Sequence, residues 1–593
     1  MKQIIKSLTT AVLVIWICCI QSCRKETDLI SNKDSTSTNS KSSLRTTGNE
    51  ISNNLIDSSG DENMVLGNKL NNPYTLSNMK KAFEVLGSSK AKTLTYNRIY
   101  VKLLPQTQEQ VLDFLTNENV NRCISEYPVD YEILKEGNIY FDPKVSSDTF
   151  IKPYYCVANS IADIPNVPYQ ILEYGYVPTD LEENVEEMAW KIAGYDLDSI
   201  NDMTPSSSKI IGKYKYYPEG YVDVLRSPTT QYTPVRNKSL LMTTFFVWSY
   251  VRTSSTGYFK SSKKFIVKVP VHIRQWNQEY KIFGHSLWDK IGTATKANSN
   301  PNTHYRIGTG DRGAYNKAVL NNTFFDYNDY CNSAQGGQGS IIKLDDIWYW
   351  IPITQDRGGT TVLKHKFNFS SSELYYSNVL GTAITNDIAL RYWHDNSYQN
   401  KQNLMFHEFS HYSHAMKAGR AYWKDVVVSE AENIAYTLTT TKDPYRDGVH
   451  PTSGGADQIG LAESWAEFMG AVISTFYYGS GQIFTYTGGF DIENFSPQFT
   501  PSMITFADGS QGGWHYGCWI PTGLWWDLWD TNNETNQRTV YGNTVVTDCA
   551  TYPLPAIYNA LAGCVRVTDM RPKIFNLNPN TKCSLTLFNA YGY

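Results

Sequence analysis

The spacing of apolar side chains changes character several times along the chain, and each change marks a segment. A largely apolar run from Leu8 to Ile20 follows the basic residues Lys2 and Lys6. It is short for a bilayer span, which takes about 20 residues, and reads as the core of an export signal over residues 1–22. Residues 23–60 show no period. Ser, Thr, Asn and charged residues dominate there, as in Asp34–Lys41, so the stretch cannot bury enough apolar area to fold and reads as a flexible tether. Residues 61–204 mix a strand-like run, Thr95–Leu104, with a helix-like one, Thr107–Leu115, and carry no catalytic spacing; a structural domain or prodomain is expected. Residues 205–285 contain the strand runs Gly220–Val224, Leu240–Val251 and Lys264–Val271, with the turn cluster Thr253–Gly257 between the last two. From 286 to 593 helical periods appear, tryptophan becomes frequent and Gly-rich loops such as Gly336–Gly339 punctuate the chain.

At 593 residues the chain is too long for one core, so roughly two to four domains are expected. Apolar residues at 41% and charged residues at 19% describe an ordinary folded protein. A net charge of -4 offers no electrostatic case for a nucleic-acid partner. The 42 tyrosines suit β-rich surfaces that contact polymers, although Tyr-rich sheets are often no more than sheets. The residues Ile20-Gln21-Ser22-Cys23 resemble a bacterial lipobox, with Gln21 departing from its usual small or aliphatic residue. The resemblance implies that Cys23 is lipidated and that the mature protein is anchored to a bacterial membrane, the outer one expected, facing the periplasm or the cell surface. Cys123, Cys156, Cys331, Cys518, Cys549, Cys564 and Cys583 then remain, enough for at most three internal disulfides whose pairing the sequence leaves open. None forms a C-x-x-C, which argues against a thiolate zinc ribbon.

The chemistry gathers in the last half. His407-Glu408-Phe409-Ser410-His411 spaces two histidines so that a helix projects both from one face, one turn apart, where they can grip one ion. Leu404, Met405, Phe409, Tyr412 and Met416 supply that helix with an apolar stripe, and Gly419 suits its end. Glu408 would lie beside a metal-bound water. A second helical stretch contains Glu463 and, one turn later, Glu467, over the stripe Leu461, Trp465, Phe468, Val472 and Ile473. Glu430 and Glu432 are nearer in sequence, but the positions four residues beyond them hold Ile434 and Tyr436, which cannot act as acidic partners. A third-histidine pattern fails, because its glycine position holds His414 and its histidine position Lys417. His414 reads as a surface or packing residue.

These residues resemble the gluzincin metallopeptidases, and the wider layout resembles lipoprotein metallopeptidases of Gram-negative bacteria. The strand segment resembles the transthyretin-like β-sandwich modules attached to secreted peptidases. The implied fold class is therefore multidomain, a β-sandwich module at 205–285 followed by an α+β zincin-like metallopeptidase domain at 286–593. The resemblance implies Zn2+ held by His407, His411 and Glu463, with Glu467 orienting a ligand histidine. It implies Glu408 as general base, a protein or glycoprotein substrate outside the cytoplasm, and a further donor to the developing oxyanion, for which His515 and Tyr516 in Gly512–Gly517 are the candidates. The competing expectation is a binding or adhesion lipoprotein that keeps the fold with little turnover.

Overall fold

The computed structural model describes residues 64–135, 140, 142, 151–197, 215–284, 286–295, 302–352, 358–370, 373–374, 386–392, 394–440, 456–479, 522–530, 538–540, 544–546, 551–579, 582–590 and 593. The segments expected to be an export signal and a tether, Cys23 among them, and the segment carrying His515 and Tyr516 lie outside them. The protein is multidomain, with mixed helices and sheets. Among the described residues no helix is long and apolar enough to cross a membrane.

The first unit is an antiparallel sheet ordered Ile124–Ser125, Tyr154–Ala158, Arg98–Leu103 and Tyr169–Gly175, with helices alongside. The expected helix spans Gln108–Thr116, and the Thr107 side chain caps it by accepting from the Gln110 N–H at 3.2 Å.

Two four-stranded sheets follow and share one apolar core. One runs Val247–Arg252, Ser239–Thr244, Val269–Arg274 and Trp288–Ala294. The other is built on Glu219–Leu225, flanked by Tyr258–Lys260, Tyr232–Pro234 and His304–Ile307. The apolar run Leu240–Val251 is not one strand but a hairpin, with Thr244 opposite Val247 and Phe245 turned to φ 44°. Its turn is apolar because it is buried in the first unit. Phe245 packs on Trp190 with ring centroids 5.6 Å apart, and Phe246 packs on Tyr100 at 5.9 Å. Gly175 has no Cβ, which would otherwise overlap the Phe246 ring. The run expected from Lys264 to Val271 is regular strand only from Val269, and continues to Arg274.

Sheet membership interleaves around residue 285. Strand β1, Tyr280–Phe283, joins the next sheet, while Trp288–Ala294 and His304–Ile307 return to the preceding pair. Tyr280 ties the units together. Its hydroxyl accepts from the buried Lys238 Nζ at 2.9 Å and donates to Asn321 Oδ1 at 2.8 Å, on helix α1, Arg312–Asn332.

That next sheet positions the site. It is ordered β1, β2 (Ile347–Trp350), β4 (Ile388–Arg391) and β3 (Gly358–Thr361). The first three run parallel, and β3 pairs antiparallel to β4 with Gly359 opposite Leu390 and Thr361 opposite Ile388. Among the described residues β3 has a ladder partner on one side only. Helix α2, Tyr398–Ala418, packs against β3, α1 and the long helix α4, Ala456–Tyr478; α3, Arg420–Thr440, lies between α2 and α4 in sequence. Ser397 caps the start of α2, and Gly419 ends it at φ 97°, a conformation that favours glycine. The short helix α5, Thr522–Trp529, packs on α4 with Trp525 and Trp526 buried.

Cys123, Cys156, Cys331 and Cys564 are free thiols, and Cys583 is disulfide-bonded. Three internal bridges are therefore excluded: four of the seven cysteines are free, which leaves room for one.

Candidate metal centre

The His407-Glu408-Phe409-Ser410-His411 segment is helical in α2, and Glu463 and Glu467 lie one turn apart on α4. Two helices bring the donors together, so their separation decides whether the donors meet. Gly470 lies at the closest part of the contact, where a Cβ would sit 3.4 Å from the Cα and backbone N of His407, so only a small residue fits there. Trp465 Nε1 donates to Ser413 Oγ at 3.4 Å, Ser474 Oγ to Asn403 Oδ1 at 2.9 Å, and Trp525 Nε1 to Ser464 Oγ at 2.8 Å. These bonds set the register of the helices within an otherwise apolar contact, where an unpaired polar group would cost about 1–3 kcal/mol.

His407 Nε2 and His411 Nε2 face each other at 3.1 Å, with ring planes at 86°. Glu463 reaches both, Oε2 to His407 Nε2 at 3.4 Å and Oε1 to His411 Nε2 at 3.5 Å. All three side chains are buried, and their donor atoms lie within 4.8 Å of one another. A tetrahedral ion bound at about 2.0–2.1 Å has ligands about 3.3 Å from each other along each edge. The two imidazole nitrogens stand near that edge length, and Glu463 faces each of them with a different oxygen, so the tripod could hold a metal ion with the carboxylate turning one or both oxygens to it. Glu467 Oε1 lies 3.5 Å from His407 Nδ1, on the ring nitrogen that faces away from the tripod.

Glu408 points toward β3. Its Oε2 is 2.7 Å from Thr361 Oγ1, whose hydroxyl also lies 3.1 Å from the Glu408 carbonyl oxygen. Burial pushes the Glu408 carboxyl up to about 7; the neighbouring charges of Glu463 and Glu430 push the same way, while His407 and Thr361 oppose. Burial likewise raises Glu463 to about 7, against a hydrogen bond with the Glu430 side chain. Burial is also the main cause that holds His411 well below the usual imidazole range, in the neutral form a metal ligand needs. These are the expected signs for charged groups placed in an apolar shell without a cation.

Glu430, weighed in sequence as a ligand, therefore stands next to Glu463, while the side chain of Glu432 lies outside the described residues. His414 is not a surface residue. It is fully buried against Tyr422 and Trp423, with centroids 5.1 and 6.3 Å away, and burial lowers it to about 3. Residues absent from the sequence reading are Thr361, Gly359 and Gly470. No spacing ties Gly358-Gly359-Thr360-Thr361 to position 408; only the pairing of β3 with the sheet does.

No family model, curated protein or solved structure matches this chain.

What the centre can do follows from its atoms: three metal donors, a carboxylate next to them held by a hydroxyl, and an edge strand beside that carboxylate.

Proposed function

We propose that the protein is a zinc-dependent endopeptidase acting on extracytoplasmic protein or glycoprotein. The observation that carries the reading is the buried group of His407, His411 and Glu463, whose two imidazole nitrogens lie 3.1 Å apart with one carboxylate oxygen 3.4 Å from the first and the other 3.5 Å from the second. Two imidazoles and one carboxylate from three residues leave a position open to water, the donor set of hydrolytic rather than structural zinc. Bound zinc would bring the pKa of a coordinated water to about 7 and polarise a scissile carbonyl.

The chain supplies the rest. Glu408 follows the first ligand and takes the water's proton at its carboxylate, then returns it to the leaving amine. Glu467 Oε1 stands 3.5 Å from His407 Nδ1, placed so that a small closure would let it accept from Nδ1–H and leave Nε2 free to ligate. The edge of β3 that has no ladder partner among the described residues runs past Glu408, where an extended peptide backbone can add as a further strand. The donor that meets the oxyanion is assigned to His515 or Tyr516, which lie outside the described residues.

Resemblance to the gluzincins at His407, Glu408, His411, Glu463 and Glu467 supports the same reading. So does the layout of a mixed sheet with an antiparallel edge strand next to the metal helix, as the zincin-like assignment requires. The paired four-stranded sheets support assigning the preceding module to a transthyretin-like sandwich. Cys23 is proposed as the lipid attachment site, which would display the enzyme outside the cytoplasm. The test is metal analysis of the purified chain followed by cleavage of casein and peptide libraries by wild type and Glu408→Gln. One zinc per chain with cleavage lost in the variant is expected; full cleavage by Glu408→Gln sinks the mechanism. Stoichiometric zinc with no hydrolysis by wild type favours a binding protein instead.

A further inference from the structure

We propose that Thr361 is the positioning residue for the Glu408 carboxylate, and that position 359 is glycine so that this carboxylate can occupy its place. The inference deepens the peptidase reading and rests on Glu408 as the group that takes the proton from water.

Three observations converge. The Thr361 hydroxyl lies 2.7 Å from Glu408 Oε2, the short range of a hydroxyl donating to a carboxylate. The same oxygen is 3.1 Å from the Glu408 carbonyl, so the hydroxyl has a second acceptor on the very residue it serves. When the carboxylate holds the proton taken from water, its O–H can donate to Thr361 Oγ1 while the hydroxyl turns to the carbonyl. Glu408 then stays in place through both halves of the proton transfer. No bond is made or broken at Thr361 itself, and no other reactant is needed. The third observation is steric: a Cβ on Gly359 would overlap Oε1, Cδ and Cγ of Glu408. A glutamate tip can swing away from such a clash, so the cost falls on where the carboxylate sits more than on the fold. Residues 359 and 361 share one face of β3 by the two-residue alternation of a strand. Together they form a socket with one hydroxyl and one gap.

The experiment uses the full zinc-loaded chain with Thr361→Val, Thr361→Ser and Gly359→Ala. Valine keeps the shape of threonine and removes only the hydroxyl. Thr361→Val should lower kcat about 10- to 100-fold, the scale of a misplaced catalytic group, with KM nearly unchanged. Thr361→Ser should restore most of the rate, and Gly359→Ala should lose it with the threonine intact. Zinc affinity should be the same in all, because neither residue touches the tripod. Crystal structures of wild type and Thr361→Val provide the readout that is independent of turnover: one Glu408 conformer is expected in the first and a displaced or split one in the second. An unmoved Glu408 carboxylate in Thr361→Val, or wild-type kcat in that variant, overturns the proposal. If wild type hydrolyses nothing, the peptidase reading fails, and the carboxylate position in the two structures still decides the role of Thr361.

Discussion

Replacing Glu408 with glutamine removes a buried negative charge while keeping the side chain's size, and its effect on stability can be worked out. In the folded, metal-free protein burial raises this carboxyl from 4.5 to about 7. In the unfolded chain it ionises near its ordinary value. Between those two pH values the folded state keeps a proton that the unfolded state has lost, so stability is highest below the lower value and falls as pH rises through the window. Well above the window the full cost of the ionised group is felt, about 3 kcal/mol from the size of the shift. Glutamine carries no such cost. The metal-free Glu408→Gln protein should therefore exceed wild type by about 1 kcal/mol or less near pH 5 and by about 3 kcal/mol near pH 8. Hydrogen exchange of the α2 amides in the presence of a chelator is the assay, because it reads opening of this helix and not of the whole multidomain chain. A difference independent of pH, or wild type better protected near pH 8, refutes the claim that this carboxyl is buried at a cost that a cation relieves.

Glu467→Gln should weaken zinc binding about 10- to 100-fold in a competition titration, since it alters the partner of His407 Nδ1 and leaves the three ligands in place. Gly470→Ala should be nearly neutral, because its Cβ would meet the His407 backbone at an ordinary 3.4 Å contact. Gly470→Leu should cost about 1–3 kcal/mol in thermal unfolding and lower zinc affinity as α4 is pushed off α2. Where α1 packs on the paired sheets, Lys317 and Asp289 form a buried ion pair, and Lys317 Nζ also donates to the Ser286 carbonyl at 2.8 Å. Asp289→Asn should cost about 3–5 kcal/mol in the same assay by leaving the lysine charge behind; adding Lys317→Met should recover part of the loss, and equal losses would show the pair is not the cause.

The elements that were legible in the sequence are those whose signal is local. The α2 helix follows from the spacing of His407 and His411 over an apolar stripe, and its end from Gly419, because helical period and glycine's freedom at positive φ act within a few residues. Glu463 and Glu467 were legible by the same one-turn spacing. That they meet His407 and His411 is a tertiary fact. It depends on how α4 seats against α2, where Gly470 faces the His407 backbone, and a lone glycine in a helix has no reading until its neighbour is known. The hairpin hidden in Leu240–Val251 shows the same limit in reverse. Turns are recognised by polar residues and glycine because most turns face water, whereas Phe245 and Phe246 turn inside a neighbouring unit. The return of Trp288–Ala294 and His304–Ile307 to the paired sheets, around a strand that joins another sheet, is likewise a choice of partner. So is the contact between Thr361 and Glu408. Local chemistry decided which residues could do the work here, and long-range pairing, which no spacing encodes, decided which of them stand together.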